Sequence, residues 1–286
     1  VTLFLAAALL SLLATEYLRL SLRELRTLIV EPVLFFFLLR ATVRTPVDAG
    51  HLVDVLTVVA TAVAALAIAQ FFVGGAVTEV QGVRRVHGTY TSPNHLALLL
   101  AAGVLAAGIG LTVAPVERLA GRLDPTRGTA LVRVQLWQAA LELIREQPLL
   151  GIGLDNFLYR YAERLPPTIG IEPNLSHPHN LVLQFWLQLG LLGVVALGWL
   201  LVSVVRALWP HVGKTTPPVG RVLAVGALGS LVNFLAHGSV DNSYFLVDMA
   251  FIFWLTAAVA GVLPSRQSTP DPHLPADVQS RSAAPT

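Results

Sequence analysis

No residue from 181 to 205 carries a formal charge, and nearly all are apolar. At ~1.5 Å rise per residue, a helix of that length reaches across a hydrocarbon core of about 30 Å. The segment therefore reads as a membrane span. Directly before it stands Ser176-His177-Pro178-His179-Asn180. Pro178 has no backbone donor and biases His177 out of helical geometry, so the helix is expected to start at or after His179. That places His179 at interface depth, on a rigid element and within reach of water, while Pro178 turns His177 elsewhere.

The same criterion finds further spans. Residues 1–15 are apolar and read as a first span rather than a signal peptide, because no basic stretch precedes them. In 16–26, leucines alternate with Arg19, Arg23, Glu24 and Arg26, as in a short interfacial helix. The apolar run 32–39 must recruit its flanks to cross. Residues 55–78 and 96–116 are uncharged; 222–240 carries only His237, and 243–264 only Asp248. Charged residues are 13% of the chain against roughly 25% in soluble domains. With Lys214 the only lysine and no basic run interleaved with aromatics, a nucleic-acid partner is not expected. The chain has no cysteine, which excludes disulfides and thiolate metal sites.

Between the spans lies a polar stretch, 117–176. The positions Val134, Leu136, Trp137, Ala140, Leu141 and Ile144 repeat at helical spacing. Gln147-Pro148 ends that helix, and Gly151-Ile152-Gly153 turns the chain. Pro166, Pro167, Gly170 and Pro173 predict irregular backbone before the histidines. The tail 265–286, rich in Pro, Ser and Asp, reads as disordered.

Arg206, His211, Lys214 and Arg221 lie between two spans, which assigns that loop to the cytoplasm. Arg40, Arg44 and the tail then fall inside; His179, the turn 241–243 and the loop 79–94 fall outside. Arg19, Arg23 and Arg26 run against the rule. A single crossing by 96–116 would put 117–180 on the wrong side. Either that segment returns to the face it left, or additional spans belong between Asn94 and Arg133.

Three motifs resemble one family. Arg84-Arg85-Val86-His87-Gly88-Thr89-Tyr90-Thr91-Ser92-Pro93-Asn94-His95-Leu96-Ala97 looks like an outer-loop element of bacterial O-antigen ligases and polymerases. Arg133 and Trp137, followed by Pro148-Leu149-Leu150-Gly151-Ile152-Gly153, resemble the start of their large periplasmic loop. His179-Asn180, nine residues, then Gly190 and Gly193 match the ligase signature. All three occur in that family's order.

The resemblance implies an all-α polytopic membrane protein, a GT-C-like helical bundle with a large periplasmic loop region. It divides the chain into N-terminal transmembrane helices (1–116, with the outer loop 79–94), a periplasmic region (117–180), C-terminal transmembrane helices (181–264) and a cytoplasmic tail (265–286). It implies an enzyme of the bacterial inner membrane, acting on its outer face. That enzyme transfers glycan, with inversion, from undecaprenyl pyrophosphate to an acceptor. The nearest form is O-antigen ligase, whose acceptor is lipid A-core; an O-antigen polymerase or a protein O-oligosaccharyltransferase would look alike. Membrane lipids are the remaining partners. The family has several spans between Asn94 and Arg133 where this chain has one.

The chemistry argues for the same residues. Glycosyl transfer from a pyrophosphate needs a base for the acceptor hydroxyl and a holder for charge on the leaving group. His179 suits the first task near neutral pH. Arg84, Arg85 and Arg133 suit the second, since guanidinium binds phosphate oxygens through a two-donor fork. Asn94, Asn180 and His177 are candidate supporting residues. Neither a metal nor another cofactor is expected, and Asp155 and Glu172 would be the first ligands to test otherwise. Plainer readings stay open: His179 as a helix cap or interface anchor, and His177 with His179 as a two-histidine zinc site. Arg84 and Arg85 could hold lipid head groups; Arg133 could pair with Glu142 or Glu146; Asn94 could be a helix cap. His237 and Asp241 could line the site, though helix packing is the expected role of that pair. A non-catalytic transporter or lipid-binding protein is the reading from another class. It would place ionisable groups at mid-bilayer, and here only Asp248 lies within a span.

Overall fold

The computed structural model describes residues 1–73, 77–80, 83–86, 96, 128–164 and 177–263. The span 96–116 (apart from Leu96), Asn94, Glu172 and the tail 265–286 lie outside the described residues.

The protein is an all-α polytopic membrane bundle. Its helices are α1 (Thr2–Ser11), α2 (Leu18–Glu24), α3 (Glu31–Thr42), α4 (Pro46–Val73), α5 (Gly128–Glu146), α6 (Phe157–Arg160), α7 (Leu181–Leu208), α8 (Pro218–Gly238) and α9 (Val247–Ala260). A two-stranded hairpin, β1 (Val77–Val80) with β2 (Val83–Val86), is the single sheet among the described residues. Three segments are long and apolar enough to cross a membrane: Pro46–Val73, Leu181–His211 and Pro218–Gly238. The α4 helix buries only Ala49, Ala60 and Ala67, and it exposes Val55, Val58, Ile68 and Phe72. An apolar surface of that kind is stable against acyl chains and costly in water.

Several boundaries differ from those the hydropathy suggests. The interfacial helix expected at 16–26 instead runs through a π-helical turn, Leu25–Val30, straight into α3. Ser21, Leu28 and Ile29 are buried along it, whereas Leu18 and Leu22 are exposed. The α4 helix starts at Pro46, where the Asp48 carboxylate accepts from the Arg44 and Thr45 amides, and it stops at Val73. Val77–Val80 and Val83–Val86 then pair as antiparallel strands, reaching into the segment where a loop, 79–94, was expected. At 14 residues, or ~21 Å, α9 is too short to cross a full hydrocarbon core.

The largest correction concerns 181–205. It is not one uninterrupted helix: Gly190 adopts φ 68°, ψ −171°, and splits α7 into 181–189 and 191–208. The break exposes backbone groups that must be paired if they lie in a membrane. The 147–153 loop pairs them. The Ile152 N–H donates to the Leu187 carbonyl at 2.6 Å, and Leu191 N–H donates to the Leu149 carbonyl at 3.2 Å. Trp186 Nε1 adds a bond to the Pro148 carbonyl at 2.8 Å. Gly151, at φ 71°, lies directly on the Leu187 and Trp186 carbonyls, where no Cβ fits. The glycines of the two motifs thus meet backbone to backbone.

Farther along, Asn156 is fully buried and stitches the same loop to the α1–α2 corner through Thr15 (2.7 Å), Ser21 (3.0 Å) and the Tyr17 amide (3.2 Å). On α5 the buried stripe is Leu136, Ala139, Ala140, Leu143 and Ile144, packed on Leu183, Trp186 and Leu187 of α7. Leu141, expected on that face, is exposed. A second core joins α1, α7 and α9 through Phe4, Phe185, Tyr244, Phe253 and Trp254, most pairs meeting edge to face.

Candidate active site

The turn that follows α8 meets the start of α7 at one end of the bundle. Asn180 caps α7 by accepting from Leu183 N–H at 3.0 Å, which satisfies one of the free amides of the first turn. Its Nδ2 donates to the Ser239 carbonyl at 3.1 Å, tying the cap to the end of α8. Gly238 lets the two elements close, because a Cβ there would meet Ser243 and Leu181. Asn242 holds the next turn, pairing with both the amide and the carbonyl of Phe245. Tyr244 anchors it below: its buried hydroxyl donates to the Leu28 carbonyl at 2.9 Å and accepts from Trp254 Nε1.

On this frame Asp241 is 4% exposed and faces three imidazoles. His179 Nδ1 lies 2.7 Å from its Oδ1, His177 Nε2 3.6 Å from Oδ1 and His237 Nε2 3.9 Å from Oδ2. The Asn242 amide donates to Oδ1 at 2.8 Å. Burial pushes the Asp241 carboxyl up, but His177, His179 and the Asn242 amide outweigh it and hold the group well below the ordinary carboxylate range. The carboxylate is therefore ionised and can only accept. Nδ1 of His179 must carry the hydrogen between them, which leaves Nε2 of the neutral ring with its lone pair free to take a proton. The His179 side chain is 21% exposed, so the ring remains accessible. Its backbone has φ 53°, a left-handed conformation uncommon outside glycine. Strain of this kind, on the order of 1 kcal/mol or more, is found where a side chain must point in one direction.

Of the residues singled out in the sequence, the structure brings His177, His179 and Asn180 together. His177 is not turned away by Pro178: its ring meets that of His179 edge to face at a centroid distance of 4.5 Å. Asp241, for which helix packing was expected, faces the histidine pair, and His237 Nε2 lies 3.9 Å from its Oδ2. Arg133 lies one turn before Leu136, in the helix that packs on the 183–187 stretch of α7. It pairs with neither Glu142 nor Glu146. Glu146 instead binds Arg164 at 2.8 Å and Arg160 at 3.6 Å, and Arg133 Nε is buried without a hydrogen bond. Arg84 and Arg85 lie on β2, their backbones opposite Glu79 and Thr78. Asp155 contacts Arg23 at 3.4 Å.

At the opposite end of the bundle, the last turns of α3 and α9 approach through Arg40 and Gly261, and the first turn of α4 approaches that of α8. Arg206, Lys214 and Arg221 lie at or between the ends of α7 and α8 there. The histidine end and the basic end of the bundle are thus distinct.

Fold and site together define a polytopic membrane protein in which an accessible histidine pairs with a buried aspartate at one end of the bundle. The family model for O-antigen ligase matches residues 33–198, more than half of the sequence, and the chain belongs to the O-antigen ligase family. No curated protein and no solved structure matches it. Asp241 and His237 lie beyond the matched residues.

Proposed function

We propose that this protein is a GT-C-like transferase that moves glycan from undecaprenyl pyrophosphate to an acceptor hydroxyl on the outer face of a bacterial inner membrane. His179 acts as general base and Asp241 positions it. The observation that carries this reading is the 2.7 Å contact between His179 Nδ1 and the buried Asp241 carboxylate, at the family's signature histidine. The domain division 1–116, 117–180, 181–264 and 265–286 belongs to the same proposal. So does the orientation, in which the basic end of the bundle faces the cytoplasm.

Nε2 takes the acceptor proton as the new C1–O bond forms. The bond from C1 to the pyrophosphate oxygen breaks, and its electron pair leaves with the lipid pyrophosphate. His179 gains the proton beside an ionised carboxylate that balances its charge. Arg133, Arg84 and Arg85 are the candidates to hold the leaving group. Arg133 is supported by its buried guanidinium Nε, which makes no hydrogen bond, on the helix packed on α7. His177 and Asn180 support the base, and Asn94 remains a candidate supporting residue. Lipid A-core is the first acceptor to try; a second glycan or a protein would redefine the enzyme as polymerase or protein transferase. Neither step calls on a metal, and EDTA should not lower turnover.

The test is transfer from a lipid-linked glycan in proteoliposomes, each acceptor offered alone. Arg133→Lys is expected to keep part of donor binding and lose most turnover, whereas Arg133→Ala loses both. The turnover loss should be on the order of 10²–10³-fold, as for a missing transition-state donor. Full turnover in Arg133→Ala would remove this arginine from the site.

A further inference from the structure

We infer that His177, His179 and Asp241 form a Zn²⁺ site that overlaps the base and turns it off. The sequence offers only a His-x-His pair, and the fold adds a carboxylate from 62 residues farther along the chain. One donor atom from each of the three residues lies within 4.8 Å of the other two. Tetrahedral ligands at Zn–N distances of about 2.0–2.1 Å stand roughly 3.3–3.5 Å apart. His177 Nε2 and Asp241 Oδ1 are already 3.6 Å apart. The His179 contact opens slightly when a metal replaces the shared hydrogen. His237 Nε2 lies 3.9 Å from the other carboxylate oxygen, Oδ2, outside the three-residue group.

Donor chemistry and support agree with this assignment. Imidazole and carboxylate suit zinc, and the carboxylate is oriented by the Asn242 amide, an outer-shell contact of the kind that fixes metal ligands. All three side chains are at most about a fifth exposed.

Binding has a specific chemical consequence. Zinc on Nδ1 of neutral His179 displaces the hydrogen there, and the ring, still neutral, carries its one hydrogen on Nε2. No net proton is released, yet Nε2 changes from acceptor to donor and can no longer take a proton from the acceptor hydroxyl. The inhibition rests on the proposed role of His179; the binding does not.

The experiment uses the full chain in detergent, stripped with EDTA and dialysed. Zn²⁺ is titrated calorimetrically, and Co²⁺ is followed by its visible absorption as a geometry probe. One ion per chain with a tetrahedral Co²⁺ spectrum is expected. His177→Ala and Asp241→Asn should each weaken binding by about tenfold or more. His51→Ala, on the exposed face of α4, should not. Transfer should fall over the same Zn²⁺ range and return with EDTA. An absence of saturable binding, or equal binding in His177→Ala and Asp241→Asn, would overturn the site. Site-dependent binding with undiminished transfer would overturn the inhibition, while the role of His179 as base is decided separately by the turnover of His179→Ala.

Discussion

His179→Ala is expected to lower glycan transfer by about 10²–10⁴-fold, the range a general base contributes, while the protein still inserts and folds. The expectation rests on position and on chemistry. His179 precedes the Asn180 cap and adds no packing to the two apolar cores, so its removal leaves the bundle intact. Alanine at φ 53° carries a strain that histidine already carries, on the order of 1–2 kcal/mol. Loss of the 2.7 Å contact leaves the buried Asp241 carboxylate to His177 and the Asn242 backbone amide, so thermal unfolding is measured beside turnover to separate lost folding from lost chemistry. Turnover should be measured under single-turnover conditions with donor saturating, so that weak binding is not mistaken for slow chemistry. Retention of more than about a tenth of wild-type turnover would argue against general-base work.

The largest effect on stability is expected at Gly190. A Cβ there falls on the Leu149 carbonyl and the Leu150 backbone, so the loop must withdraw from α7. Gly190→Ala then loses the Ile152–Leu187 and Leu191–Leu149 backbone bonds, about 1 kcal/mol each. It also places a side chain at φ 68°, about 1–2 kcal/mol more. A combined loss of roughly 3 kcal/mol exceeds that of most single substitutions. Gly198→Ala is the control, because a Cβ at Gly198 meets no atom within 4 Å. Proteolysis between 147 and 156 should accelerate in Gly190→Ala and stay unchanged in Gly198→Ala. Equal stability of the two variants would contradict the docking of the loop on the break.

The bundle was legible because long uncharged runs have few physical solutions, and 181–205 and 222–240 both contain helices that can cross. The break at Gly190 was not legible from hydropathy, since a helix interrupted by one positive φ keeps the same composition as an unbroken one. What specifies it is a partner loop distant in sequence, which only the spacing of Gly151 and Gly190 hints at. His179 and Asn180 could be found from their place before an apolar helix. Asp241 could be placed at the same end of the bundle by counting spans, but its contact with His179 depends on Gly238, Asn242 and Tyr244 setting one turn. The left-handed backbone of His179 leaves no trace in the sequence. For Arg133, periodicity found the helix but not the face, because Leu141 and Leu143 differ in burial and not in character.

The coupling between His179 and Asp241 tests the central claim most directly. A carboxylate that acts only by holding the imidazole should matter only while the imidazole is present. Asp241→Asn should lower single-turnover transfer by about 10² or more on its own, since the amide can also donate to Nδ1 and so favours the wrong tautomer. Introduced into His179→Ala, the same substitution should change the rate by less than about threefold, the strong non-additivity expected of groups that act as one unit. Losses that multiply, with Asp241→Asn costing as much without His179 as with it, would mean that the two residues act independently and that the His–Asp pair is not the base of this enzyme.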